Sequence, residues 1–208
     1  MLRRAVRELW GASRSSDSCV RVWEHALPTW PLTWPVGARV LEIGCQDVNW
    51  LSMAVAADDT IQAVGLDWRG ALPGPGERLQ GDVLQVEFAP ASFDAIVMIS
   101  ALEHIGLGHY SKDPIDPDGD TKTLARCATW LRPGGWVYAD VPYDPTGYRL
   151  DGTSARIYDD AALDTRLVAP GLRADARVFA DMAGALIAKP ATMKSNRYVY
   201  VATVWWKE

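Results

Sequence analysis

Apolar residues along this chain gather in short runs that are separated by turns and helix-compatible segments. Six runs have the length of strands, at residues 38–43, 61–67, 93–100, 136–141, 172–179 and 196–207. A further strand is expected just before Gly81. The run at residues 93–100, FDAIVMIS, is the clearest of them. This alternation of strands and helices predicts an α/β domain built on a mostly parallel sheet of seven strands.

Helix signals occupy the intervals between these runs. They lie at residues 47–57, 121–131 and 159–163. Near the N-terminus, residues 2–10 form an amphipathic pattern, and Asp17 or Ser18 is a cap for a second helix that ends at Pro28. We therefore expect an N-terminal helical cap and linker at residues 1–35, followed by one domain at residues 36–208.

Composition narrows the class of protein. The chain is 49% apolar and 23% charged, and its formal net charge of −5 gives no reason to expect general nucleic-acid binding. Cys19, Cys45 and Cys127 show no paired spacing, so neither a disulfide framework nor a zinc site is indicated, and we expect a cytoplasmic protein. The N-terminus lacks the apolar core of a signal peptide, and no run is long enough to span a membrane.

The first predicted strand carries the strongest chemical signal. Glu42 lies near its carboxyl end, Gly44 interrupts it, and a helix-compatible segment follows. Strand, tight turn and helix in that order form the nucleotide site of a Rossmann-type sheet. The Glu-x-Gly pattern resembles motif I of class I S-adenosylmethionine-dependent methyltransferases. That family has further glycines where this chain has Gln46 and Val48.

The resemblance continues downstream in the family's order. It implies a cofactor site for S-adenosylmethionine that includes Glu42, Gly44, Cys45 and Gln46, and it implies an antiparallel last strand placed between strands five and six. Leu131-Arg-Pro133-Gly134-Gly135 also resembles the family's Leu-x-Pro-Gly-Gly turn.

Two acidic positions follow the second and third strands. Asp67 ends the second strand about 25 residues after Glu42, where a Rossmann fold places a carboxylate for ribose hydroxyls. Its structural alternative is a cap on the next turn. Trp68 is expected to pack either on adenine or in the core. Gly81-Asp82-Val83 resembles the family motif in which the acid accepts a hydrogen bond from adenine's amino group and the next residue's amide meets a ring nitrogen.

The fourth strand ends in the region where the resemblance places the transferable methyl group. Ser100 is therefore a cofactor contact. Among the three histidines, His104 and His109 follow this strand and are the predicted catalytic bases, whereas His25 belongs to the N-terminal helix. Tyr110 is a predicted substrate contact. The alternative for His104 is a structural bond to a backbone carbonyl.

Two later segments have open interpretations. Arg156 and Tyr158 follow the fifth strand, and they are either substrate contacts or part of an exposed helix start. Asp116, Asp118 and Asp120 fail to match a calcium-binding loop, so we expect no metal and expect these acids to cap the next helix.

The resulting expectation is a methyltransferase that transfers a methyl group to a small-molecule acceptor. A hydroxyl acceptor is favoured. The chain also resembles a methyltransferase subgroup that has links to sugar pathways, so a sugar-linked hydroxyl is one expected class of acceptor. The leading alternative is a non-catalytic protein of the same fold that serves in binding or assembly, because two motif glycines are absent. Transfer of an aminopropyl group is a lesser enzymatic alternative.

Overall fold

The computed structural model describes residues 35–45, 61–69, 76–109, 114–152, 154–183, 185–193 and 198–208. Strands β1 to β5 are Arg39–Ile43, Gln62–Asp67, Glu77–Gln80, Phe93–Ile99 and Leu131–Tyr143. Strands β6 to β11 are Arg149–Asp151, Ala155–Ile157, Leu172–Ala174, Val178–Ala180, Leu186–Ile187 and Val199–Lys207. Helix α1 is Gly119–Trp130, helix α2 is Asp160–Arg166, and a 3-10 helix covers Leu102–His104.

The main sheet has nine strands among the described residues. Its order is β10-β9-β11-β5-β4-β1-β2-β3, and β8 pairs with the far end of β11. Strands β1 to β5 run parallel, while β11 is antiparallel to β5, β8 and β9. The predicted fold class and the position of the last strand, inserted next to β5, are confirmed.

The long apolar runs correspond to the central strands β1, β2, β4, β5 and β11, because these strands are buried on both faces. On one face, a cluster that includes Leu41, Leu66 and Met98 packs with α1 and α2 residues such as Leu124 and Leu163. On the other face, alternate residues of the same strands form a cluster with several alanines. Glu42 lies on this second face, since it alternates with Leu41 along β1.

Three predicted boundaries differ from the structure. The Pro-Gly-Gly turn lies inside β5 as an irregularity: Phe93 pairs with Leu131, and the next paired residue, Ala95, is opposite Trp136. The sixth strand is split into β8 and β9 by residues 175–177, which lie outside both strands, and the indole of Trp206 donates to the Asp175 carboxylate there at 3.2 Å. The excursion after β5 folds as the two-stranded β6–β7 hairpin.

The acids before α1 do not cap it in the predicted way. Asp118 occupies the N-cap position but makes no capping bond with its side chain. Asp116 accepts a bond from the Asp118 amide at 3.0 Å and one from Lys122 at 2.6 Å. Asp120 is fully buried and binds arginine and tyrosine side chains. These acids therefore stabilise the turn and a buried ionic cluster.

Several predictions lie outside the described residues and stay predictions. They are the N-terminal cap, the helix at residues 47–57, and the roles of His25, Gln46, Val48 and Tyr110. In the part of the chain that the structure describes, no helix is both long and apolar enough to span a membrane.

Candidate active site

The carboxyl ends of β1, β2, β3 and β4 meet at one edge of the sheet. The Gly44 amide donates to the Leu66 carbonyl at 2.9 Å, and the Gly81 amide donates to the Asp67 carbonyl at 3.0 Å. These bonds join the loop after β1 to β2, and the loop after β3 to β2. The predicted cofactor residues that the structure describes are thereby brought to one edge.

Gly44 is required by packing as well as by backbone geometry. Its φ is +83°, and a Cβ atom at this position would lie 2.6 Å from Cβ of Ala101. The loops after β1 and β4 therefore touch at Gly44 and Ala101. The absence of a side chain at Gly44 therefore serves a close contact within the protein.

Two buried carboxylates share the β1–β2 end of this edge. Glu42 pairs with Gly65 in the register of β1 and β2, so Glu42 and Asp67 face the same side of the sheet. Glu42 is 2% exposed and Asp67 is 5% exposed. Burial, followed by the charges of Glu42 and Asp67, raises the pKa of the Cys45 thiol to about 12. Cys45 therefore stays neutral beside the two acids.

An arginine not predicted from the sequence lies in the same place. Arg78 on β3 crosses over Gly65, because a Cβ on Gly65 would lie 2.5 Å from Nη1 of Arg78 and 2.9 Å from Sγ of Cys45. Its positive charge lowers the pKa of Cys45 against the larger opposing effects. The edge is thus a mixed cluster of acids and arginine side chains, since Arg69 also lies 3.4 Å from Asp67. The only sequence signal for it was a glycine within an apolar strand.

Asp67 caps the turn that follows β2, which is the structural alternative to a role in ribose binding. Its Oδ1 atom accepts a bond from the Arg69 amide at 2.8 Å and lies 3.4 Å from Nε of Arg69. Trp68 is half-buried. The turn cap is therefore present, and the ribose and adenine roles stay predictions.

Asp82 supplies a buried acceptor that no other described residue uses. Its Oδ1 atom accepts from the Leu84 amide at 2.9 Å, whereas its Oδ2 atom is buried and has no hydrogen-bond partner within the described ranges. Val83 beside it is buried. An unsatisfied buried carboxylate oxygen is costly, and it fits a ligand that brings a hydrogen-bond donor such as the amino group of adenine.

Ser100 and Glu103 form a polar pair just after β4. Ser100 has a positive φ of 45°, its amide donates to Asp140 at 3.0 Å, and its hydroxyl donates to Oε1 of Glu103 at 2.7 Å. Glu103 is 1% exposed, and its Oε2 atom has no hydrogen-bond partner in the part of the chain that the structure describes. Strained backbone and an unsatisfied carboxylate at one point are typical of functional sites.

The His104 ring lies next to this pair. Its Nδ1 atom contacts the carbonyl oxygen of Ser154, and its Nε2 atom lies 3.6 Å from Oε1 of Glu103. A carbonyl only accepts, so Nδ1 carries the hydrogen and the neutral ring has its lone pair on Nε2. The His109 ring stacks on it at 5.9 Å between centroids. The structure thus brings the two histidines predicted as catalytic bases together. His104 also contacts a backbone carbonyl, as expected if its role is structural.

The predictions for Arg156 and Tyr158 require correction. Both side chains are fully buried, so they are neither an exposed helix start nor placed to contact a substrate. The Tyr158 hydroxyl donates to Oδ2 of Asp120 at 2.8 Å, and Arg156 donates to backbone carbonyls. Burial, and then the charge of Asp120, raises the pKa of Tyr158, so the phenol remains a donor.

No metal site is evident in the described ranges. Within them, no group of three His, Cys, Asp or Glu residues is arranged to hold an ion. The oxygens of Asp120 are already occupied by Arg166, at 2.7 and 2.9 Å, and by Tyr158.

Comparison with known protein families gives one partial match. A family described as Caenorhabditis protein of unknown function, DUF268, matches residues 83–168, which is less than half of the chain. No match is found among curated proteins.

Solved structures with a similar fold are methyltransferases in most of the cases compared. The 1,6-didemethyltoxoflavin-N1-methyltransferase of Burkholderia thailandensis, with bound 1,6-didemethyltoxoflavin and S-adenosylhomocysteine, has a TM-score of 0.61 and 16% identity, covering 97% of this chain and 81% of that chain. An S-adenosylmethionine-dependent methyltransferase of Mesorhizobium loti has a TM-score of 0.57 and 13% identity, covering 89% and 98%.

One similar structure has a different activity. The [4+2]-cyclase SpnF has a TM-score of 0.54 and 16% identity, covering 82% of this chain and 74% of that chain. At these identities the comparisons establish the class I methyltransferase fold. Chemistry has to be argued from the residues of the site.

Proposed function

We propose that this protein is an S-adenosylmethionine-dependent methyltransferase that acts on a small-molecule acceptor, with a hydroxyl group as the favoured acceptor. The observation that carries the proposal is the row of buried carboxylates at the carboxyl edge of a methyltransferase-type sheet, in which Asp82 has an unused acceptor oxygen. Ligands of open α/β sheets bind at this edge.

The described residues fit the adenosine half of the cofactor. Asp82 would accept the amino group of adenine, the Val83 amide would meet a ring nitrogen, and Asp67 would bind the ribose hydroxyls. Glu42 and Gly44 line the adjoining end of β1. S-adenosylmethionine supplies, when bound, a methyl group made electrophilic by its sulfonium.

His104 is the residue assigned to proton transfer. With its hydrogen held on Nδ1 by the Ser154 carbonyl, its Nε2 atom would take the proton of an acceptor hydroxyl. Glu103, 3.6 Å from Nε2, would then stabilise the charged ring. The His109 ring stacks on the His104 ring and is exposed to solvent, so His109 would contact the acceptor.

The test compares His104→Ala and His109→Ala in a turnover assay with an acceptor found by screening small hydroxyl compounds. Loss of a general base lowers turnover by about 10²–10⁴-fold and leaves cofactor affinity nearly intact. Cofactor affinity measured on the same variants is the control. Full turnover in both variants would leave alignment of the acceptor as the only contribution of this loop.

A non-catalytic binding role is the second candidate. Its support is the replacement of two motif glycines by Gln46 and Val48. If S-adenosylmethionine at millimolar concentration gives neither heat nor a shift in melting temperature, this second candidate becomes the better conclusion.

A further inference from the structure

We propose that Arg156 is a positioning residue that fixes the backbone on both sides of His104. The proposal rests on the proposed role of His104 in proton transfer. It gives a function to a fully buried arginine whose donors meet neutral backbone carbonyls of the loop that carries His104.

The loop after β4 leaves and returns through a narrow neck. The Asp116 amide donates to the Gly106 carbonyl at 2.9 Å, and Leu107 pairs with Ile115 in an antiparallel bridge. Close packing enforces the closure, because a Cβ on Gly119 would lie 2.6 Å from the carbonyl oxygen of Ile105. His104 lies at the entrance of this neck.

Arg156 binds both sides of the neck with one guanidinium. Its Nη1 atom donates to the carbonyls of Ile105 at 2.7 Å and Glu103 at 3.4 Å, the two residues that flank His104. Its Nη2 atom donates to the returning segment, at the carbonyls of Pro117 at 3.1 Å and Asp116 at 3.3 Å. Four carbonyls shared between the two terminal nitrogens of one guanidinium suit the rigid fork of arginine and do not suit the ammonium of lysine.

The orientation of Arg156 is set by one buried carboxylate. Oδ2 of Asp120 lies 3.6 Å from Nε of Arg156, and Asp120 also binds Arg166 and Tyr158. Burying a charged group costs desolvation energy that an apolar side chain would avoid, so a charged residue here needs a reason beyond filling space. Holding the four carbonyls is that reason.

The turn that leads into β7 contacts the ring of His104. Arg156 lies on β7, two residues after Ser154, whose carbonyl contacts Nδ1 of His104. The β6–β7 hairpin therefore fixes both the backbone next to His104 and the tautomer of its ring. Among the described residues, Glu103 and His109 lie against this ring. Arg156 contacts the backbone beside it, and Asp120 contacts Arg156.

The experiment observes the histidine rings directly and needs no acceptor. The chain has three histidines, so the Hε1 signals in a proton–carbon NMR spectrum are few and are assigned with single His→Gln variants. In Arg156→Lys we expect the His104 signal to shift or broaden and the mutual ring-current shifts of His104 and His109 to change. An unchanged His104 signal in folded Arg156→Lys would overturn the proposal.

Two matched variants separate positioning from lost stability. Tyr158→Phe removes a buried hydroxyl from the same cluster but leaves the Arg156 fork, so it lowers the melting temperature and keeps the His104 signal. Arg132→Gln removes an arginine that donates to both carboxylate oxygens of Asp94 at the opposite end of β4. This variant is expected to leave the His104 signal unchanged. A His104 shift in Tyr158→Phe as large as in Arg156→Lys would assign Arg156 to general stability.

Turnover supplies the second readout once methyl transfer is measured. Misplacement of a reacting group by about 1 Å costs about 10²-fold, so Arg156→Lys should lower kcat by about that factor with cofactor affinity unchanged. Methylguanidinium added to Arg156→Ala should restore part of the lost turnover. If the wild type transfers no methyl group, the proposed function fails, whereas the NMR result still decides whether Arg156 holds His104. Normal kcat in Arg156→Lys would overturn the positioning role.

Discussion

Substitution of Gly44 by alanine tests the contact between the loops after β1 and β4. The new methyl group meets two separate penalties. A left-handed φ of +83° costs a residue with a Cβ about 1–2 kcal/mol. Overlap with Cβ of Ala101, 2.6 Å away, adds about 1–3 kcal/mol for forced rearrangement. Gly44→Ala should therefore lower the free energy of unfolding by about 2–5 kcal/mol.

Two further variants separate these penalties. Gly37 has a similar φ of +80° but nothing within 4 Å of an added Cβ, so Gly37→Ala should cost only the conformational part. Ala101→Gly should cost about 1–2 kcal/mol alone, from a lost methyl group and a freer unfolded backbone. Combined with Gly44→Ala it should remove the overlap, so the pair should be less destabilised than the sum of the two single variants by about 1–3 kcal/mol.

The assay is urea unfolding followed by tryptophan fluorescence. The slope against urea should stay constant across the set, so that midpoint differences report stability. Equal costs for Gly44→Ala and Gly37→Ala would refute the contact with Ala101. Strict additivity in the double variant would refute it as well.

Three other predictions concern single residues. Asp82→Ala should weaken S-adenosylmethionine binding by about 1–3 kcal/mol, measured by calorimetry, because the unused acceptor oxygen is lost; unchanged affinity would remove Asp82 from the site. Burial raises the pKa of the Cys45 and Cys127 thiols from 9.0 to about 12, so the folded protein should protect both from alkylation at pH 8, as mapped by mass spectrometry against a urea-unfolded sample. A raised thiol pKa favours the folded state fully below pH 9, and this stabilisation should be lost as the pH rises toward 12. Asp120→Ala should lower the free energy of unfolding by about 3–5 kcal/mol, because it leaves buried guanidinium groups without their carboxylate, and a loss below about 1 kcal/mol would contradict the cluster.

The strands of the sheet were predictable because their signal is local. A run such as residues 93–100 is apolar at nearly every position, and burial on both faces is the reason. The β6–β7 hairpin was missed because its strands have three residues each and carry polar side chains, so no apolar pattern marks them. The split between β8 and β9 was not predicted either, because it appears only in how the two strands pair with separate parts of β11, which is distant along the chain.

The site shows the same division between local and distant information. Glu42 and Asp67 could be proposed as cofactor contacts because each lies at the end of a strand, and Asp82 because Gly81-Asp82-Val83 resembles a family motif. The burial of Arg156 was not predictable, since its partners lie about 40 to 50 residues away along the chain. The position of Arg78 over Gly65 depends on the register of β2 and β3, which the sequence of either strand alone does not specify.

Calorimetric titration with S-adenosylmethionine and S-adenosylhomocysteine tests the central claim most directly. The proposed site predicts that both ligands bind the wild type at one shared site and compete with each other. It also predicts that Asp67→Ala, with its fold verified by circular dichroism, weakens both by about 1.5–3 kcal/mol, or about 10–10²-fold in Kd. Absence of binding by either ligand to the folded wild-type protein, or unchanged affinity in Asp67→Ala, would contradict a cofactor site at this edge of the sheet.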